Sequence, residues 1–193
     1  MGCDYSTNLN RDIVVKEGRL FKFCKIALNP AYSVQQTRKR MNLIESDVGG
    51  HKTAIMVWEK QLSENTTDVH FLKSFYSEAD AVVIEINMSA AIETANLQRV
   101  KSEISRAQID NSKEQIPVFV FAKANKVYGQ ALSAQDQQSN SAFIMKFSTE
   151  SGWRIMNLTA EEREDARFQF IANEIYKLGI HPRKLNKGTL DTL

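Results

Sequence analysis

Cysteine is nearly absent from this sequence: Cys3 and Cys24 are the two it has, far apart and with no C-x-x-C between them. That spacing offers neither a disulfide framework nor a zinc site. Three histidines, His51, His70 and His181, are scattered without the H-E-x-x-H spacing of a catalytic metal helix. No apolar run approaches the about 20 residues that a membrane helix needs; the strongest, Ile116–Ala122, is far shorter. No secretory signal opens the chain. Charge of one sign is also scarce. A formal net charge of +2 and no basic stripe with interleaved aromatics argue against a nucleic-acid partner. The short cluster Arg38-Lys39-Arg40 reads as the solvated face of a helix.

What is present is ordinary for one globular domain of 193 residues, with 42% hydrophobic and 25% charged residues. Residues 1–18 are polar and mixed in charge, a tail. A strand is expected over Leu20–Leu28. After Asn29-Pro30, Val34, Thr37, Met41 and Ile44 fall on one face of a helix, with Ser33 as a possible cap. Gly49-Gly50 permits a sharp turn. Strands are expected over Thr53–Glu59, Ala81–Ile86, Ile116–Ala122 and Trp153–Leu158. Val69–Ser77 reads as a short helix or a turn, and helices are expected over Ala90–Ala107, Ser133–Ala142 (weakly packed) and Glu161–Leu178. The tail from Gly179 reads as irregular. Strands alternating with helices predict an α/β fold, a three-layer sandwich with a mainly parallel central sheet. Apolar runs such as AVVIEI and VFVFA suit strands covered on both faces. The domain is expected over residues 19–178, with tails over 1–18 and 179–193. Ligands on such sheets bind at the carboxyl ends of the strands.

Four blocks carry a resemblance. ADAVVIEINMSAAIETANLQRVKSEI (Ala79–Ile104), IPVFVFAKANKV (Ile116–Val127), FQFIANEI (Phe168–Ile175) and MVWEKQL (Met56–Leu62) resemble stretches of Rab-like small GTPases. The likeness runs in order over roughly residues 20–178. It implies a P-loop small-GTPase-like fold. It also marks the places where nucleotide chemistry would sit, and this sequence departs from the family there. The phosphate loop G-x-x-x-x-G-K-[ST] needs glycines so that backbone N–H groups converge on phosphate. Its positions fall on Asn29, Val34, Gln35 and Gln36, and Pro30 removes a donor. The D-x-x-G positions fall on Glu59 and Leu62. In the N-K-x-D stretch, Lys123-Ala124-Asn125-Lys126, a lysine replaces the base-reading carboxylate, and an ammonium cannot accept hydrogen bonds. Thr159 and Ala160 keep the small pair of S-A-K, but Glu161 replaces its lysine. The interval from Gln35 to Trp58 is short for the family, so the first switch region and second strand are expected to be shortened. Phosphoryl transfer rests on positioning and charge stabilisation. Losing four contact points therefore implies a pseudo-GTPase with no catalytic residues, no metal, and no GTP or magnesium as cofactor.

The amino terminus supplies another expectation. Met1-Gly2-Cys3-Asp4-Tyr5-Ser6 fits the N-myristoylation pattern at Gly2, with Cys3 placed for palmitoylation. One myristoyl chain binds membrane only marginally, on the order of 10⁴ M⁻¹, so a second lipid is expected. The sequence thus reads as an adaptor or scaffold on the cytoplasmic face of a plasma, endosomal or ciliary membrane. An unidentified protein partner is expected at Trp58, Phe71, Phe75 and Tyr76, aromatic anchors of the kind interfaces favour. Two other readings stay open: an atypical nucleotide-binding switch, and a structural subunit of a larger assembly.

Overall fold

The computed structural model describes residues 18–28, 40–62, 69–88, 92, 95–111, 115–123, 133–151, 154–158 and 163–184. Its strands are β1 (Arg19–Leu28), β2 (Arg40–Val48), β3 (His51–Gln61), β4 (Ala81–Asn87), β5 (Val118–Lys123), β6 (Arg154–Leu158) and β7 (Arg183–Lys184). Its helices are α1 (Val69–Tyr76), α2 (Ala95–Asp110), α3 (Ala134–Ser151) and α4 (Glu164–Lys177).

The strands form one sheet in the order β2-β3-β1-β4-β5-β6, with β7 paired to β1. Neighbours are parallel except β2 with β3 and β7 with β1. β1 is buried at nearly every position because both its faces are covered. On one face, Cys24, Ile26 and Leu28 of β1 join Val82, Ile84 and Ile86 of β4 beneath α1, α2 and α3. On the other, Phe21, Phe23, Val83, Phe119 and Phe121 pack under Phe168, Ile171, Ala172 and Ile175 of α4. Phe168 anchors that face, its ring centroid 6.2 Å from Phe23 and 6.1 Å from Phe121. The expected α/β sandwich with a mainly parallel sheet is therefore present. α3 holds the sheet through few side chains, as its polar sequence predicts. One of them, Asn140, is buried; its Oδ1 accepts from the Ile92 N–H (3.1 Å) and its Nδ2 donates to the Met88 carbonyl (3.3 Å).

Three expectations need correction. Met41 and Ile44 are not helical. They belong to β2, which pairs with β3 without a break from Arg40↔Glu59 to Val48↔His51. The second strand is thus nine residues long and not shortened. The helical spacing misled because β2 carries apolar residues at 41, 43, 44 and 48, which fit either period. The turn between β2 and β3 is Gly49-Gly50, with φ of 60° and 76°, the positive values a two-residue hairpin of this type requires at both positions. A Cβ on Gly49 would stand 2.5 Å from Cζ of Tyr176 on α4. Finally, the chain after Gly179 is not wholly irregular. α4 ends in a Schellman arrangement: Gly179 at φ 82° donates to the Tyr176 carbonyl and Ile180 to that of Ile175. This turn sends Arg183 and Lys184 back to pair with Leu20 and Arg19, so the fold extends past 178.

Candidate functional site

α1 follows β3, and its last turn lies at the amino end of β4, beside Lys22 of β1. A helix leaves its last carbonyls without intrahelical partners. At α1 they are taken by side chains from other elements. Lys22 of β1 donates through Nζ to the carbonyls of Ser74 (2.5 Å) and Ser77 (2.8 Å). The Cys24 thiol donates to that of Phe75 (2.8 Å). Asn111, just past α2, donates through Nδ2 to that of Tyr76 (2.6 Å), which also receives the Ala79 N–H (3.0 Å). Burial is the main reason the Lys22 pKa is lowered, yet the helix dipole favours a cation at this end. Glu78 takes the left-handed conformation at φ 59° to turn the chain out, and its carboxylate accepts from Arg183. Asp80 then accepts from the Lys22 N–H (2.9 Å).

A second lysine holds the same helix from the side. Lys60 of β3 is buried, and its Nζ lies 5.5 Å from the Phe75 ring and 5.1 Å from the Tyr76 ring. It donates to Glu103 of α2, which also accepts from the Tyr76 hydroxyl. Burial lowers the Lys60 pKa, with Glu103 opposing; burial and then Glu103 push the Tyr76 phenol up.

On the opposite face, Lys25 of β1 stands three residues from the strand's end. Its Nζ lies 3.0 Å from Glu164 at the start of α4, 3.2 Å from Glu85 and 3.3 Å from Glu59. Burial alone would pull this ammonium down; Glu85, Glu59 and Glu164 outweigh it and raise the pKa. An ammonium has three protons, and three carboxylates surround it. Lys25 is therefore held as an ammonium by the carboxylates around it and is unsuited to proton transfer. The group keeps a formal excess of negative charge, which is unfavourable for phosphate.

The sites expected from sequence fall as follows. Glu59 is on β3 with Lys25 against it; the strand continues two residues beyond. Leu62 closes β3, its N–H donating to the Ala27 carbonyl (3.0 Å), and packs against the core. Lys123 ends β5, in register with Asn87 and Leu158; its side chain lies outside the described residues. So do Gly2, Cys3, Asn29, Val34, Gln35, Gln36, Lys126, Thr159, Ala160 and the side chain of Phe71. Trp58 is half-buried, donating to the Met56 sulfur (2.8 Å) with Lys22 4.7 Å from its ring. Phe75 and Tyr76 are wholly buried, a correction to their place on a partner surface: the turn of α1 that carries them faces the sheet and α2. The lysines at 22, 25 and 60 were not anticipated. Lysine in a strand reads as solvent-facing, and only the register reveals their neighbours.

No protein-family model and no curated protein matches this chain. Among the described residues no helix is long and apolar enough to cross a membrane, and no group of His, Cys, Asp and Glu could hold a metal ion.

Proposed function

We propose that this protein is a catalytically inactive relative of Rab-like small GTPases, acting as a protein-binding adaptor held on the cytoplasmic face of a membrane by lipids at Gly2 and Cys3. The observation that carries the reading is the fixed α1. In the proposed relationship this helix follows the D-x-x-G element, where a nucleotide switch would need freedom to move. Here its last three carbonyls, and that of Ser77 just beyond it, are held by Lys22, Cys24 and Asn111, and its last aromatic pair by Lys60. A helix held in this way favours a constant surface over a switched one.

Two further observations agree. The four resembling blocks fall in order on β3, β4 with α2, β5 and α4, around a central β1. The carboxylate at the first D-x-x-G position is bound to Lys25, which leaves it poorly placed to support a magnesium ion. Denaturing the purified protein and chromatographing the supernatant tests the inactive reading: no guanine or adenine nucleotide is expected, and no heat of binding with GTP and magnesium. Stoichiometric nucleotide would overturn it. For the anchor, Gly2→Ala is expected to move the full chain from the membrane to the soluble fraction of cells. An unchanged membrane fraction would overturn the lipid assignment.

A further inference from the structure

We propose that the amino end of the sheet, on its α4 side, is a membrane-facing surface that binds anionic lipid headgroups. Cations gather there. Arg19 and Lys184 are direct partners where β1 meets β7, so their side chains share a face, the one that Phe21 and Phe23 present to α4. Arg154 opens β6 and Lys177 lies in the last turn of α4; Glu174 stands between them, 2.7 Å from Arg154 and 2.8 Å from Lys177. Among the described residues, these four cations meet one carboxylate on this side, Glu174. The other acidic groups of this end stand on the side of α1 and α2. Asp47 alternates with Val48, which packs under α4; Glu78 and Asp80 are taken up by Arg183; Asp110 ends α2. Leu178 follows Lys177 and is 51% exposed, an apolar residue among the cations.

An anionic bilayer fits this surface better than a small anion does. The cations are spread over β1, β7, β6 and α4 instead of converging on one point, and an exposed leucine stands among them. A bilayer offers negative charge over an area, with an apolar layer beneath it. The inference rests on the membrane-anchored reading above and adds an orientation to it. Gly2 lies 17 residues before Arg19, a reach of up to about 60 Å when extended, so a lipid there tethers the domain without orienting it. Residues 3–18 carry Arg11 and Lys16 against Asp4, Asp12 and Glu17, so the tether itself adds no attraction to a negative leaflet. The folded surface does. One myristoyl chain binds on the order of 10⁴ M⁻¹. Each Lys or Arg brought near an anionic leaflet contributes about fivefold, so four cations less one carboxylate give about a hundredfold. One lipid together with this surface is then a stable attachment, with or without acylation of Cys3.

Co-sedimentation of the full chain with vesicles provides the test, with Gly2→Ala present throughout so that no lipid is attached there. The vesicles are phosphatidylcholine alone, or phosphatidylcholine with about a third phosphatidylserine. At millimolar lipid, binding to the anionic vesicles is expected to be about a hundredfold tighter and to fall at least about tenfold from low to high salt. Arg19→Glu with Lys184→Glu is expected to bring it down to the phosphatidylcholine level. Arg99→Glu with Lys146→Glu makes the same charge change at exposed positions of α2 and α3, and is expected to cost less than about threefold. Folding of each variant is checked by circular dichroism. Should the first pair misfold, Lys177→Gln with Lys184→Gln, both at exposed positions, takes its place, with an expected fall of at least about tenfold. Anionic vesicles bound no tighter than neutral ones would overturn the proposal, as would a loss from the α2 and α3 pair as large as that from the pair at β1 and β7. The outcome is independent of acylation in cells: a Gly2→Ala chain that stays on cell membranes removes the lipid anchor, whereas this surface stands or falls with the vesicles.

Discussion

Replacing Lys22 by Met should loosen α1 more than it destabilises the protein. Methionine keeps the apolar stem that lies along Trp58 but removes the ammonium that serves the Ser74 and Ser77 carbonyls. Hydrogen bonds from a charged donor contribute about 1.5–3 kcal/mol each, so the gross local loss is about 3–6 kcal/mol. Against it stands relief from burying a cation, the same effect that lowers the Lys22 pKa. Water reaching the freed carbonyls recovers more. A net loss of about 2 kcal/mol in the local opening free energy of α1 remains, equivalent to about thirtyfold faster amide exchange. Hydrogen exchange read by mass spectrometry on peptides covering residues 69–80 measures this. Peptides from α2 and β5 serve as internal references, and Lys52→Met, on an exposed hairpin position, serves as the control variant. Global stability from urea unfolding is expected to fall by less than the local value. If exchange in α1 changed by less than about threefold, or rose equally in α2, the helix would not be fixed by Lys22 and the argument for a constant surface would lose its basis.

Other outcomes follow from the same geometry. Lys25→Met strands three carboxylates around an apolar side chain. Breaking a buried pair costs about 3–5 kcal/mol, and because Glu59, Glu85 and Glu164 are partly exposed the expected loss in chemical denaturation is about 2–3 kcal/mol; adding Glu85→Gln should recover part of it. Gly49→Ala forces a Cβ into a left-handed conformation, which costs about 1–2 kcal/mol, and displaces the Tyr176 ring. Its thermal midpoint should drop more in wild type than in a Tyr176→Ala background. Tyr76 has its pKa raised in the folded state, so its contribution is fully present below the unfolded value of about 10 and is lost as pH rises beyond it. Ultraviolet titration should show that the Tyr76 phenol stays protonated until alkaline unfolding, and Tyr76→Phe should lessen the alkaline loss of stability.

Much of the framework could be read from the chain because burial wrote it in consecutive apolar residues. RLFKFCKIAL, AVVIEIN and VFVFAK admit little but two-sided strands, and the stripe Phe168, Ile171, Ile175 marks α4. β2 was misread because a strand with one buried and one open face can share spacing with a helix. Gly49-Gly50, followed at once by an apolar strand, was the clue that a hairpin preceded it. Charged residues inside the sandwich were harder. Lys22 and Lys25 interrupt an apolar strand, and Lys60 lies between Glu59 and Gln61, where exposed residues would be expected. Their partners lie 34 to 139 positions away, and only tertiary register brings them together. Phe75 and Tyr76 show the same limit: aromatic character suits an interface or a core equally, and the capping of α1 decides between them.

The short ladder of β7 on β1 has a consequence for the chain as a whole. Arg19 and Lys184 are cross-strand partners, as are Leu20 and Arg183, so residues 19–184 almost close a ring. β7 occupies the stretch of β1 that lies before β4 begins to pair at Phe23. A few residues could join 184 to 19, and the ring could then be cut at Gly49-Gly50 without removing a ladder. Load applied between the two ends would peel two residues of β7 before reaching any long strand. Whatever is attached at either end therefore leaves the domain from the same corner, and the carboxyl ends of the parallel strands look out from the pole about 30 Å away along β1.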